Sequence, residues 1–179
     1  MVTTVDVQNW INSHVGKWID FDGAYGAQCM DLSVQYAHDL WGFRLTGNAE
    51  NLRNQALPAG WQRIQNSASF VPKLGDIFIW YDAQHPYGHT GIVRGGNMNT
   101  YDVLDQNTAG TNGGAGSEAK FHTYTYAHFW GVVRPPISAA SGGGSTTPTS
   151  PSGKAVAQKG TFKANGSVNI RRNPSTKGN

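Results

Sequence analysis

A change of hydrophobic period partway along the chain constrains the fold most. Before Pro58 the apolar residues recur at helical spacing; from Asp76 onward they run or alternate as strands do. Thr3 or Thr4 can cap a first helix reaching about His14, with Val7, Trp10, Ile11 and His14 on one face and Asp6 favourably in the first turn. Gly16 stops it. A second helix is expected from Cys29 to about Trp41, apolar around most of its circumference, and a short third one from Asn48 to before Pro58. Strands are then expected over Asp76–Trp80, Thr90–Arg94, Met98–Asn107, Phe121–Tyr126 and Phe129–Arg134, with a turn at Gly95-Gly96-Asn97 and a glycine-rich loop from Thr108 to Gly116. Helices first and antiparallel strands after predict an α+β domain.

The length of 179 residues suits one full domain and an appendage. Residues 1–137 form the expected domain. A linker follows over 138–155, dense in Gly, Ser, Thr and Pro, and 156–179 read as two strands opening a second domain too short to bury a core alone. The single cysteine excludes an internal disulfide, so the fold must rest on its core or on a metal. Met1–Asp6 has neither a basic start nor an apolar run, so no signal peptide is expected, and no stretch is long enough to span a membrane. Such a protein would accumulate in the producing cytoplasm and reach an extracellular target only once the membrane is breached.

Charge is unevenly distributed. Residues 1–137 carry eight Lys and Arg against all eleven Asp and Glu, a net of −3, whereas 138–179 carry six Lys and Arg and no acid. A basic tail of this kind either binds a polyanion or simply keeps the protein solvated. Nucleic acid is a poor candidate, because the tail offers neither a groove-entering helix nor clustered aromatics for stacking.

The chemistry concentrates in Asp20–Asp31, Asp-Phe-Asp-Gly-Ala-Tyr-Gly-Ala-Gln-Cys-Met-Asp. A lone cysteine is most often a small buried hydrophobe. Cys29, however, stands where a loop becomes a helix, and a helix N-terminus favours a thiolate and offers free amides to an oxyanion. Six histidines compete as its base. His89 opens a strand in Gly88-His89-Thr90-Gly91, where flanking glycines permit close approach of other backbone and the strand holds the ring rigidly. Asp105 and Asn107, two apart at the end of an alternating run, are both suitable acceptors for the second ring nitrogen, while Asp102 points the other way.

The three carboxylates Asp20, Asp22 and Asp31 fall at positions 1, 3 and 12 of a twelve-residue loop, with Ala24 and Gly26 at 5 and 7 able to offer carbonyl oxygens. That spacing suits calcium, but Tyr25 stands where a calcium loop has glycine and Asp31 replaces a bidentate glutamate. The alternative is three solvated acids, with Asp31 serving the helix dipole.

Taken together, Gln28-Cys29-Met30-Asp31, Gly88–Val93, Asp105-Gln106-Asn107 and Trp130–Pro135 resemble a CHAP domain, the cysteine, histidine-dependent amidohydrolase/peptidase unit of phage endolysins, over about residues 5–137. The resemblance is strongest to calcium-binding endolysins directed at Gram-positive cocci. It implies a papain-like fold with N-terminal helices packed on an antiparallel sheet. It also implies Cys29 as nucleophile, His89 as base, and Asp105 (where the family usually has Glu) or Asn107 behind the ring. Gln28 and Cys29 would form the oxyanion site, and Asp20, Asp22, Ala24, Gly26 and Asp31 would bind calcium. The implied substrate is Gram-positive peptidoglycan, cleaved as a cross-bridge or stem-peptide endopeptidase or as an N-acetylmuramoyl-L-alanine amidase. The basic tail would suit anionic wall polymers, and Gly160–Ser175 is similar to the start of an SH3-like wall-binding domain. A calcium-dependent wall-binding module with an inert thiol is the non-enzymatic alternative.

Overall fold

The computed structural model describes residues 1–108 and 116–140, all within one compact unit, Met1–Gly142. The expected second domain and all but the first three residues of the expected linker lie outside the described residues. Helix α1 spans Thr4–His14, capped by Thr3, whose hydroxyl accepts the Asp6 amide while the Asp6 carboxylate accepts the Thr3 amide. Helix α2 spans Cys29–Trp41 and closes on Gly42 in the left-handed conformation. The third helix is only a 3₁₀ segment, Ala49–Arg53. The Arg63 guanidinium takes the Leu52 carbonyl at 2.9 Å, an acceptor that a longer α-helix would have used for its own next turn.

Six strands follow: β1 Gln62–Gln65, β2 Ile77–Asp82, β3 His85–Gly96, β4 Thr100–Asp105, β5 Lys120–Thr125 and β6 Phe129–Arg134. They form one antiparallel sheet in the order β1-β6-β2-β3-β4-β5. The domain is thus α+β and papain-like. Strand β1 was not expected, since Gln-Arg-Ile-Gln carries one apolar residue and sits at the sheet edge. Strand β3 begins five residues before the expected Thr90, because Asp82 pairs with His85 across the β2–β3 turn.

The sheet is buried on both faces. Ile77, Ile79, Ile92, Leu104 and Val133 meet the helices through Val7, Ile11, Leu32 and Tyr36. On the opposite face Phe78, Val93, Tyr101, Val103, Phe129 and Val132 form a second, aromatic core. Ser138 is tied to the domain, its carbonyl accepting the Thr4 amide and its amide donating to the Val2 carbonyl.

Candidate active site

Helix α2 is anchored one turn below its N-terminus. Ser33 lies 3.3 Å from the Thr90 hydroxyl, which donates to the Phe78 carbonyl at 2.6 Å. Cys29 is four residues before Ser33 and so lies over it on the same helical stripe, while His89 precedes Thr90. This registry brings the partly exposed thiol to the imidazole, near enough for the Cys29 side chain to raise the ring's pKa. His89 Nε2 meets Asp105 Oδ2 at 2.8 Å, which leaves Nδ1 as the ring nitrogen for sulfur.

Glycine makes that approach possible. A Cβ on Gly91 would stand 2.6 Å from both the Asp105 Cβ and the Leu104 carbonyl oxygen. Gly88, at φ +74°, would place a Cβ 2.7 Å from the Glu50 amide and the Trp80 carbonyl oxygen. The two glycines therefore let neighbouring backbone close around His89 from both sides.

Asp105 is fully buried and heavily solicited. Besides His89, its Oδ2 accepts the Tyr124 hydroxyl at 2.7 Å, and its Oδ1 meets His122 Nδ1 at 2.5 Å and the Thr108 hydroxyl at 3.3 Å. Burial alone would raise this carboxyl, but the bonds from His89, Tyr124 and His122 hold it below its ordinary value. Burial likewise pulls the His89 imidazole down; the Asp105 carboxylate and the Cys29 side chain outweigh it, and the ring is pushed up to about 9. The geometry is that of a rigidly held imidazole backed by a buried carboxylate.

Asp105, and not Asn107, stands behind the ring. Strand β4 ends at Asp105, and Asn107 adopts φ 59°, so the alternation expected to carry both onto one face stops between them. The Asn107 amide instead donates to Gln28 Oε1 at 2.5 Å. Gln28 also gives its Nε2 to the Tyr25 carbonyl at 2.6 Å, so its side chain braces the loop entering α2. Buried Gln106 staples that loop, donating to the Ile19 and Gln28 carbonyls at 2.6 Å each. His122 and Tyr124 are not among the residues expected at the site. The alternation of Phe121–Tyr126 put them on one face, and the missing information was that this face is Asp105's, since β5 pairs with β4 as Val103↔His122 and Tyr101↔Tyr124.

In the preceding loop, Asp20, Asp22 and Asp31 bring carboxylate oxygens within 4.8 Å of one another. Asp31 closes the loop onto α2, accepting the Gln28 amide at 2.8 Å and the Phe21 amide at 3.2 Å, and Asp22 accepts the Ala24 amide at 2.9 Å. Gly23, Tyr25 and Gly26 all take left-handed φ, with Tyr25 at 65° and its ring exposed. Tyr25 thus adopts the glycine-like conformation at the position where a calcium loop has glycine. The Asp31 carboxyl is raised by burial and by the neighbouring charges of Asp22 and Asp20, which marks an excess of negative charge at this corner.

Comparison with known proteins places this arrangement. The chain is 32% identical over 148 residues to the endolysin PlyTW of Staphylococcus phage Twort, covering 79% of this chain and 32% of that protein. It is 36% identical over 117 residues to the endolysin LysK of Staphylococcus phage K, covering 62% of this chain and 23% of that protein. The chain thus spans about a quarter to a third of the length of these curated relatives. The crystal structure of the endolysin LysIME-EF1 superposes with a TM-score of 0.72 at 42% identity, over 76% of this chain and 66% of that one. The CHAP domain model matches residues 18–107, half of the chain and the span that holds the acidic loop, Cys29, His89 and Asp105; this protein belongs to the CHAP domain family.

Proposed function

We propose that this protein is a peptidoglycan hydrolase that cleaves an amide bond through the Cys29 thiol. The observation that carries the reading is a single buried imidazole, His89, held by a buried carboxylate, Asp105, at 2.8 Å and raised also by the neighbouring Cys29 side chain. His89 takes the thiol proton, and sulfur attacks the amide carbonyl. The developing oxyanion is received by the backbone amide of Cys29, which as the first residue of α2 has no acceptor within the helix. Each such donor is worth about 3–4 kcal/mol of barrier. We assign Gln28 a bracing role there, since its Nε2 already serves the Tyr25 carbonyl. The tetrahedral intermediate collapses as the C–N bond breaks and His89 gives its proton to the leaving amine. Water, deprotonated by His89, then attacks the thioester carbonyl, and its collapse frees the carboxylic acid and the Cys29 thiol. Asp105 holds the ring's tautomer and stabilises the imidazolium throughout.

Family resemblance favours a cross-bridge or stem-peptide endopeptidase. Digestion of purified peptidoglycan followed by product masses tests the bond, because only an amidase would separate lactyl sugar from peptide. Loss of digestion in Cys29→Ser with wall binding retained is the expected outcome. Equal clearing by wild type and Cys29→Ser would remove the thiol from the reaction, and wall pelleting without clearing by either would favour a binding module.

Calcium is the cofactor we assign to Asp20, Asp22 and Asp31, with the carbonyls of Ala24 and Gly26 completing an all-oxygen set suited to a hard cation. Bound there, it would neutralise the acidic corner and stiffen the loop that positions Cys29. Activity should disappear in excess chelator and return with calcium, while the thermal midpoint rises with calcium for the wild type and not for Asp20→Asn/Asp22→Asn. We further assign the basic segment 138–179 to anionic wall polymers and expect action on the wall after release from the producing cell. Among the described residues no helix is long and apolar enough to cross a membrane.

A further inference from the structure

A second group of ligands lies away from both the acidic loop and the Cys29–His89 pair. Asp82 at the end of β2, His85 at the start of β3 and His128 in the β5–β6 turn bring one ligand atom each within 4.8 Å of the others. Asp82 Oδ1 lies 2.9 Å from His85 Nδ1, Oδ2 lies 2.5 Å from His128 Nδ1, and the two imidazole centroids are 4.4 Å apart.

We propose that Asp82, His85 and His128 form a binding site for a borderline transition cation, Zn²⁺ being the best match. Two imidazole nitrogens and one carboxylate oxygen suit such an ion, whereas calcium prefers oxygen throughout. The carboxylate is held for the task. Its Oδ1 also accepts the amides of Gln84 and His85 at 2.9 Å each, an Asx turn that fixes the group while Oδ2 faces His128. Register shifts on both sides of Trp80, against β3 and against β6, turn the end of β2 so that Asp82 reaches both turns. All three side chains are about one-third exposed, which leaves a path for the ion and room for water as a further ligand. With no ion, the two ring N–H groups on Asp82 account for the contacts; a divalent ion would take the Nδ1 positions, each neutral ring then carrying its proton on Nε2.

The site has a structural consequence for the surroundings of His89. The Trp80 ring lies 5.9 Å from His85, 5.5 Å from His128 and 5.1 Å from His89. A metal there would clip the β2–β3 turn to the β5–β6 turn and fix Trp80 beside His89, a positioning role rather than a catalytic one.

The test uses the full chain carrying Cys29→Ala, so that the thiol is removed as a competing ligand, with excess calcium present to occupy any hard-cation site. Calorimetric titration with Zn²⁺ should give one equivalent bound, and Co²⁺ should develop the visible absorption of a nitrogen-ligated site. Both signals should vanish in Cys29→Ala/His85→Gln/His128→Gln, and the zinc-dependent rise in thermal midpoint should vanish with them. Circular dichroism in the absence of metal should match the parent, since the three side chains are part-exposed. No zinc uptake by Cys29→Ala, or an unchanged stoichiometry in the triple variant, would overturn the site. Neither result bears on the hydrolase reading, whose test rests on peptidoglycan products.

Discussion

Two buried carboxylates in the same sheet have opposite partners. Asp76, at the entry to β2 and 1% exposed, is clamped by Arg134 through Nε at 2.7 Å and Nη2 at 2.6 Å, with the Lys73 amide at 2.8 Å. Asp105, at the exit of β4 and 0% exposed, has no guanidinium; it collects His89, His122, Tyr124 and Thr108. A guanidinium does not give up its proton in water, so the Asp76 pair is a fixed strut. Imidazoles do exchange protons near neutrality, so the Asp105 cluster can change charge during a reaction. Burial is the same in both places. The difference between a brace and a site lies in the titratability of the partner.

Asp105→Asn tests that contrast most severely. It should lower peptidoglycan turnover by roughly 10³–10⁴-fold by presenting an amide to a ring that needs a carboxylate, with the folded structure retained. Asp76→Asn should do the reverse, leaving turnover per folded molecule near wild type while lowering stability. Assays of turnover beside urea unfolding curves separate the two, and equal loss of activity in both variants would erase the distinction.

Arg134→Met comes next. Leaving Asp76 buried without its cation should cost about 3–5 kcal/mol, read as a lower urea midpoint with unchanged slope. Any large effect on the turnover of the folded fraction would show that the strut reaches the site.

The alkaline limb is smaller. The folded His89 sits at about 9 against an ordinary 6.5, so its contribution to stability is complete below about pH 6.5 and is lost as pH rises through about 9. That loss, up to ~3 kcal/mol, should be absent in His89→Gln. Cys29→Ala removes one of the groups raising the ring and should move the loss to lower pH. Asp76–Arg134 contributes nothing in this window, because the arginine is raised above an already high value, first by its bond to Asp76. Thermal midpoints between pH 6 and 10 decide it.

The mildest change is Tyr124→Phe. Removing one hydrogen bond to a charged group should cost about 1–3 kcal/mol, divided between stability and turnover. Arg134→Lys is the matching substitution at the strut. It keeps the charge but loses the paired geometry, and should affect stability alone.

Much of the fold was legible because helices and strands leave local marks. Thr3 and Asp6 form the reciprocal cap of α1, Gly42 closes α2, and β6 spans the expected run Phe129–Arg134, which Pro135-Pro136 closes. Local marks failed where neighbours supplied the stability. Strand β1 exists because β6 offers it a pairing edge through Gln62↔Arg134 to Gln65↔Gly131. The 3₁₀ segment stayed short because Arg63, ten residues beyond Arg53, captured one of its carbonyls. The candidate site shows the same division. Cys29 and His89 stood out through their local settings, a helix start and a glycine-flanked strand. His122 and Tyr124 did not, because only the pairing of β5 with β4 delivers them to Asp105. Asp82, His85 and His128 carried no mark at all, being 46 residues apart at their extremes and joined by two strand bulges.

By itself the amino-acid order determined the class of fold, the start of the helix that carries Cys29, and the grouping of Asp20, Asp22 and Asp31, since each depends on residues within a turn or a loop of one another. Tertiary structure alone decided that Asp105 backs His89 while Asn107 braces Gln28, and that Asp76 meets Arg134 instead of a histidine. The first turns on where β4 ends and the second on strand register, where a shift of one residue exchanges the two faces of the sheet and, with them, the partners a buried carboxylate can have.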